Sequence, residues 1–171
     1  MHFLNSYNWK AVNYNGPMYL RIGRDVMPSI VPSDYKFQLG KSVTIKDGSD
    51  ITIISCGTIF DEVLSAALLI EKEGIKARII NMSSIKPIDE KAIVKAAKEI
   101  GKIVTVENHN IIGGLGSAVA EVLSEKYPVK LKRIGMRDIF GKSGTNEEMK
   151  KKFGLRAEDI ACEITNFINN L

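Results

Sequence analysis

The stretch Thr105-Val-Glu-Asn-His-Asn-Ile-Ile-Gly-Gly-Leu-Gly-Ser-Ala-Val-Ala-Glu-Val122 decides the fold. An apolar run, Lys102-Ile-Val-Thr-Val106, leads into a charged, amide-rich turn, and Gly113, Gly114 and Gly116 then precede an amphipathic segment. The order is strand, glycine loop, helix. Such a loop can hold an anion, because the first amides of a helix point outward without partners in the helix. The same glycines can also serve only to let a helix lie close on a sheet. The loop lacks the first-strand position and downstream acid of a dinucleotide fingerprint, which favours close packing.

The alternation repeats on both sides. Upstream, Ser42–Lys46 and Ile51–Ser55 flank Asp47-Gly48, a dipeptide suited to a two-residue hairpin turn, so an antiparallel pair is expected. Cys56-Gly-Thr58 turns into a helix ended by Gly74, with Val63, Leu64, Ala67, Leu68 and Ile70 as its expected buried face. A strand, Ala77–Asn81, follows. The loop Met82–Asp89 then supplies Asp89 as N-cap for a helix to Ile100, whose apolar stripe is Ala92, Ile93, Ala96, Ala97 and Ile100. Downstream come a strand over Val129–Ile134 and a long loop over Gly135–Gly144. Thr145-Asn-Glu-Glu148 has capping-box spacing for a short helix ending near Gly154, and a last helix runs from about Glu158 to Ile168. This pattern predicts a three-layer α/β/α fold, with a five-stranded, mostly parallel sheet and one antiparallel edge strand.

Residues before Phe37 read differently. Met1–Val12 is polar and irregular, Met18–Gly23 has the look of a short strand, and Arg24–Asp34, with two prolines, reads as a surface linker. The division expected is therefore 1–36 and 37–171.

With 171 residues, 44% of them apolar and 26% charged, the chain suits one globular core. The net charge of +4 is mild and the lysines are interleaved with glutamates, so Lys150–Lys152 reads as a solvated helix face and not as a nucleic-acid patch. Cys56 and Cys162 match no metal or redox spacing and read as free thiols. No apolar run reaches bilayer-spanning length, so a soluble, cytoplasmic protein is expected, with neither membrane nor nucleic acid as partner.

The unusual residues gather after the strand ends, which in an open parallel sheet form one rim where ligands or partners dock. Glu107 and His109, two apart, have the chemistry of an acid–base pair, a partial metal site, or a hydrogen-bonding or interface pair. With no third ligand nearby, no metal site is expected. Cys56 sits where a helix start can activate a thiol, but no base neighbours it, and a small buried residue is the simpler reading. Arg21 and Arg24 flank Gly23, suited either to a phosphate or carboxylate or to a surface ion pair. Gly113, Gly114, Gly116 and Ser117 remain anion-binding or interface candidates. No complete active site emerges.

As a set, the motifs resemble the transketolase-like thiamine diphosphate enzymes. Gly16-Pro-Met-Tyr-Leu-Arg-Ile-Gly-Arg24 resembles the end of their pyrimidine-binding domain. Then come, in order, Asp50–Gly57, Lys86-Pro-Ile-Asp89, Val104–His109, Gly113–Ala118, Ile134–Gly144, Phe153-Gly-Leu155 and Asp159-Ile160. The resemblance is closest to the C-terminal section of split transketolases, and the loop Asp138-Ile-Phe-Gly-Lys-Ser-Gly144 with Phe153-Gly-Leu155 looks most like the transketolase type.

The resemblance implies that residues 1–36 are a remnant of the pyrimidine-binding domain with its linker, and residues 37–171 the C-terminal domain. It implies ketol transfer between sugar phosphates in a complete enzyme holding thiamine diphosphate and magnesium. This chain alone would bind no cofactor and carry no catalytic residue. Its partners would be an N-terminal section bearing the pyrophosphate domain and a second copy in a homodimer, and its role assembly and dimer contacts. Arg24, with Arg21 as competitor, matches the family's substrate-phosphate arginine. Other readings are a stand-alone regulatory module for a nucleotide or anion, or a component of a 2-oxoacid dehydrogenase or of deoxyxylulose phosphate synthase.

Overall fold

A computed structural model describes residues 11–23, 30–31 and 35–170. The tail before Ala11, most of the linker and Arg24 lie outside the described residues. Five strands form one sheet: β1 (Val43–Lys46), β2 (Ile51–Ser55), β3 (Ala77–Asn81), β4 (Lys102–Asn110) and β5 (Lys130–Met136). Among the described residues from Phe37 onward five α-helices accompany them: α1 (Phe60–Lys72), α2 (Glu90–Glu99), α3 (Leu115–Lys126), α4 (Asn146–Phe153) and α5 (Ala157–Asn169).

The sheet order is β1-β3-β2-β4-β5, parallel except for β1 against β3. Side chains alternate across each strand, so β2 sends Ile51 and Ile53 to one face and Ile54 to the other. The first face is covered by α1 and α5 and the second by α2 and α3. The expected three-layer architecture, with one antiparallel edge strand, is the one observed.

The expected hairpin is not. β1 pairs with β3, Val43 opposite Asn81, and β3 lies between β1 and β2. The Asp47–Asp50 link passes under the start of β3 and is fastened there. The amides of Ser49 and Asp50 donate to the Lys76 carbonyl at 3.1 and 2.9 Å, and the Asp50 carboxylate accepts from the Lys76 amide at 2.7 Å. Asp47 accepts from Arg78 Nε at 2.7 Å, and Gly48 lies so close to the Ala77 backbone that no side chain fits. The glycine marks a crossing of two backbones, which local turn preference does not reveal.

Three further expectations change. β4 continues through Glu107 to Asn110, because Asn110 pairs with Met136 and the Ile111 amide donates to the Met136 carbonyl at 2.9 Å. β5 accordingly includes Gly135 and Met136, read from sequence as loop. Leu68 is 58% exposed, since α1 turns Phe60, Val63, Ala66, Ala67 and Ile70 to the core. Met18–Gly23 belongs to no strand, and Tyr19 is 88% exposed. A lone extended segment forms no ladder without a neighbour to take its backbone groups. The caps stand as expected: Asp89 accepts from the Ala92 amide, and Thr145 and Glu148 close a capping box on α4.

Candidate functional site at the carboxyl rim

The loop after β2 leads to α1 on one face of the sheet, and the loop after β4 leads to α3 on the other. Adjacent parallel strands whose connections part in this way leave a crevice at their carboxyl ends, where α/β proteins take ligands. The walls here are Cys56, Gly57 and Thr58 on one side and Glu107 to Asn110 on the other.

Glu107 is 2% exposed, and its carboxylate faces the start of α3. Oε2 accepts from the Leu115 amide at 2.7 Å and Oε1 from the Gly116 amide at 2.8 Å. The strand end therefore supplies the anion that the helix start would otherwise seek, with charge-assisted bonds and a favourable helix dipole. The glycines make this approach possible. A Cβ on Gly114 would run into Glu107 Oε2, and one on Gly116 would stand 2.8 Å from Thr105 Oγ1. Ser117 is engaged in the same loop: its hydroxyl donates to the Ile111 carbonyl at 2.9 Å and accepts from the Gly113 amide at 2.9 Å. Glu107, Gly113, Gly114, Gly116 and Ser117 thus form one internally satisfied joint.

His109 is exposed, with Nδ1 3.1 Å from the Asn110 carbonyl, while both Glu107 oxygens are committed to helix amides. The two side chains are not an acid–base pair in this arrangement. The Cys56 thiol is pushed up to about 11, chiefly by burial and further by the Glu107 charge, with Arg21 opposing. A thiol so shifted is a poor nucleophile at neutral pH.

Arg21 reaches the crevice. Its guanidinium donates to Asn108 Oδ1 at 3.4 Å and to the Asn108 carbonyl at 3.2 Å, and Asn108 Nδ2 donates to Thr58 Oγ1 at 2.7 Å. Gly23 lies against the Thr58 methyl with no room for a Cβ. Sequence reasoning named Arg21 but missed Asn108 and Thr58. The available signal was position: a polar side chain at each of two adjacent strand ends that flank the switch in direction.

Next to Thr58 and Asn108 opens a cleft of about 370 Å³, bordered also by Met136, Asn146, Lys150 and Phe153. Lys150 donates to Glu62 at 2.7 Å, Glu147 at 3.2 Å and Asp61 at 3.5 Å. Glu62 also accepts from the Ala157 amide at 2.7 Å, so this cluster ties α4 and the start of α5 to α1. Lys150 is therefore structural, whereas Lys151 and Lys152 are exposed as the helix-face reading expected.

Among the described residues no group of three His, Cys, Asp or Glu stands close enough to hold a metal ion. The helix start best suited to a phosphate is filled by Glu107. Among the described residues no helix is long and apolar enough to cross a membrane.

The fold is an open α/β/α domain whose polar residues gather on the carboxyl rim of the sheet. The family pattern for the transketolase C-terminal domain matches residues 40–160, and the chain belongs to that family. It is 42% identical over 155 residues to a 6-deoxy-6-sulfo-D-fructose transketolase subunit from Clostridium sp. (strain MSTE9), covering 89% of this chain and 48% of the relative. It is also 42% identical over 158 residues to one subunit of an apulose-4-phosphate transketolase from Phocaeicola vulgatus, covering 92% and 50%. A solved split-gene transketolase, described as an inactive beta4 tetramer, superimposes with a TM-score of 0.91 at 41% identity, over 96% of this chain and 54% of that one. The chain thus spans about half the length of the relatives it matches.

Proposed function

We propose that this chain is the C-terminal part of a split transketolase, transferring ketol units between sugars that carry a terminal anion. In this reading residues 1–36 carry the end of the pyrimidine-binding domain and the linker, and residues 37–171 are the C-terminal domain. An N-terminal partner supplies the pyrophosphate domain with thiamine diphosphate and magnesium, and the pairs form a homodimer in the cytoplasm. The cofactor, when bound there, supplies the carbanion chemistry; this chain contributes assembly and the arginines Arg21 and Arg24 toward the substrate phosphate. His109 and the exposed loop with Ile139 and Phe140, 57% and 93% exposed, offer contact surface to the assembly.

The observation that carries this reading is the match over nearly the whole chain to subunits of two-part transketolases. Their names specify a sulfonated and a phosphorylated sugar, and a guanidinium suits either anion. The inactive state of the solved beta tetramer supports dependence on a partner. The alternative of a module binding an anion at Gly113–Ser117 has less support, because Glu107 already satisfies the helix start.

The test is reconstitution. The chain is combined with a polypeptide carrying the pyrophosphate domain and the rest of the pyrimidine domain, with thiamine diphosphate and magnesium, and ketol transfer is followed from a phosphorylated ketose to a phosphorylated aldose. Transfer is expected from the complex and not from this chain alone. Transfer by the chain alone, or none by the complex, overturns the proposal.

A further inference from the structure

We infer that Thr58 and Asn108 are positioning residues that set the arginine-bearing segment, so that the C-terminal domain tunes recognition of the anionic end of the substrate. The inference rests on the proposed function for the role of the arginines, but the docking itself stands on geometry alone. In the crevice between β2 and β4, where this class of sheet ordinarily takes a ligand, the chain has laid its own Arg21–Gly23.

Three contacts hold that segment. Arg21 gives two hydrogen bonds to Asn108, at 3.4 Å to Oδ1 and 3.2 Å to the carbonyl. Asn108 is held in turn by Thr58 at 2.7 Å, which orients its amide so that the oxygen faces the guanidinium. Thr58 then turns its methyl to Gly23, where any side chain would collide. Gly57, at φ +75°, brings its Cα close to Asn108 Oδ1, the atom from which a Cβ would stand 3.4 Å. One threonine thus serves both ends of the segment, its hydroxyl through Asn108 to Arg21 and its methyl to Gly23.

A guanidinium placed by a fixed partner loses less freedom when it meets an anion than one swinging free, and the benefit falls on binding of the anionic group. The effect of releasing it belongs in KM for anionic substrates and not in the rate of the bond-breaking step.

The test has two readouts. In the isolated 15N-labelled chain, the heteronuclear NOEs of Arg21, Ile22 and Gly23 report whether the segment is docked. Wild-type values near those of the sheet are expected, and Asn108→Ala, which keeps the bond to the residue-108 carbonyl and the Gly23 contact, is expected to lower them part of the way toward a free tail, while the sheet amides stay unchanged. In the reconstituted enzyme, Asn108→Ala is expected to raise KM for a phosphorylated aldose about tenfold with kcat within about twofold, and to leave KM for the same aldose without its phosphate unchanged. Asn108→Asp keeps an acceptor for Arg21 and reverses the bond to Thr58, whose hydroxyl then donates to the second carboxylate oxygen, and is expected to restore the KM. Thr58→Val is expected to act as Asn108→Ala does.

Wild-type NOEs of Arg21 to Gly23 already at the values of a free tail overturn the docking, and NOEs unchanged in Asn108→Ala overturn the part given to the Asn108 side chain. A KM that rises equally for both aldoses, or one that Asn108→Asp fails to restore, overturns the positioning role. If the wild-type complex itself does not distinguish the two aldoses, the reading of the arginines fails and the positioning role with it, whereas the NOE result still reports the docking separately.

Discussion

Glu107 and Gly116 stand nine positions apart in the chain, yet Oε1 of the first accepts the backbone amide of the second at 2.8 Å, while Oε2 takes the Leu115 amide at 2.7 Å. The end of β4 thus caps the helix that follows it. Replacing Glu107 by Gln keeps the shape but presents an NH2 to one of these amides. A buried charge-assisted bond is lost and a donor is left facing a donor, at a cost of about 2–3 kcal/mol. Urea unfolding is expected to show a lower midpoint with little change in slope.

Gly114 and Gly113 separate two kinds of glycine requirement. Gly113 has φ +77° with open space around it, so Ala there bears only left-handed strain, about 1 kcal/mol. At Gly114 a Cβ meets the Glu107 carboxylate and stands 2.7 Å from the Asn110 carbonyl. Gly114→Ala forces the capping joint apart and is expected to cost about 3 kcal/mol. Comparing the two variants by thermal and urea unfolding checks the order.

The two thiols are expected to react very differently. Cys56, with its thiol raised to about 11 from an ordinary 9.0, holds about a hundredfold less thiolate at pH 8 than a free cysteine. Cys162 is exposed. Titration of the folded chain with a disulfide reagent is expected to give one fast thiol, Cys162, and a second only after denaturation. Two equally fast thiols in the folded chain would contradict the buried setting of Cys56.

Lys150 links stability to pH. Burial alone pulls its amine down, but the hydrogen bonds to Glu62 and Glu147 and the Asp61 charge raise it above the ordinary lysine value of 10.5. A raised pKa means that the folded state holds the proton more tightly than the unfolded chain does. Its stabilisation is then whole below about 10.5 and fades as pH rises from there toward the folded value. Lys150→Met is expected to cost on the order of 1–2 kcal/mol at neutral pH, most of it through Glu62, because Glu147 is largely exposed. The gap between wild type and variant is expected to narrow above about pH 10.5. Urea midpoints from neutral pH upward test this.

Local patterns carried much of the fold. β3 falls on Ala77–Asn81 as its apolar run predicts, and the caps at Asp89 and Thr145 fall where short-range hydrogen bonding puts them. Each depends on residues within four positions of one another. Asp47-Gly48 failed as a guide because Gly48 answers to Ala77 across the sheet and not to its own turn. Glu107 to Asn110 look like a turn because they are polar. They are strand because β5 supplies partners, and their polar side chains then serve the rim. Leu68 belongs to the same class of error, since apolar character does not say which side of a helix the core takes.

At the candidate site the sequence offered candidate residues without their partners. It pointed to Glu107, the glycines, Ser117 and Arg21, but a carboxylate and a helix start can either await a ligand or satisfy each other, and composition does not distinguish the two. By itself the sequence determined the alternation of strands and helices, and hence the layered fold and the rim where polar residues collect. Periodicity and capping are written in neighbouring residues. Only the tertiary structure decided that β3 lies between β1 and β2, that Glu107 closes α3, and that Thr58 and Asn108 receive Arg21. These contacts join positions up to 87 apart in the chain, and their energy depends on geometry that exists only after the sheet has formed.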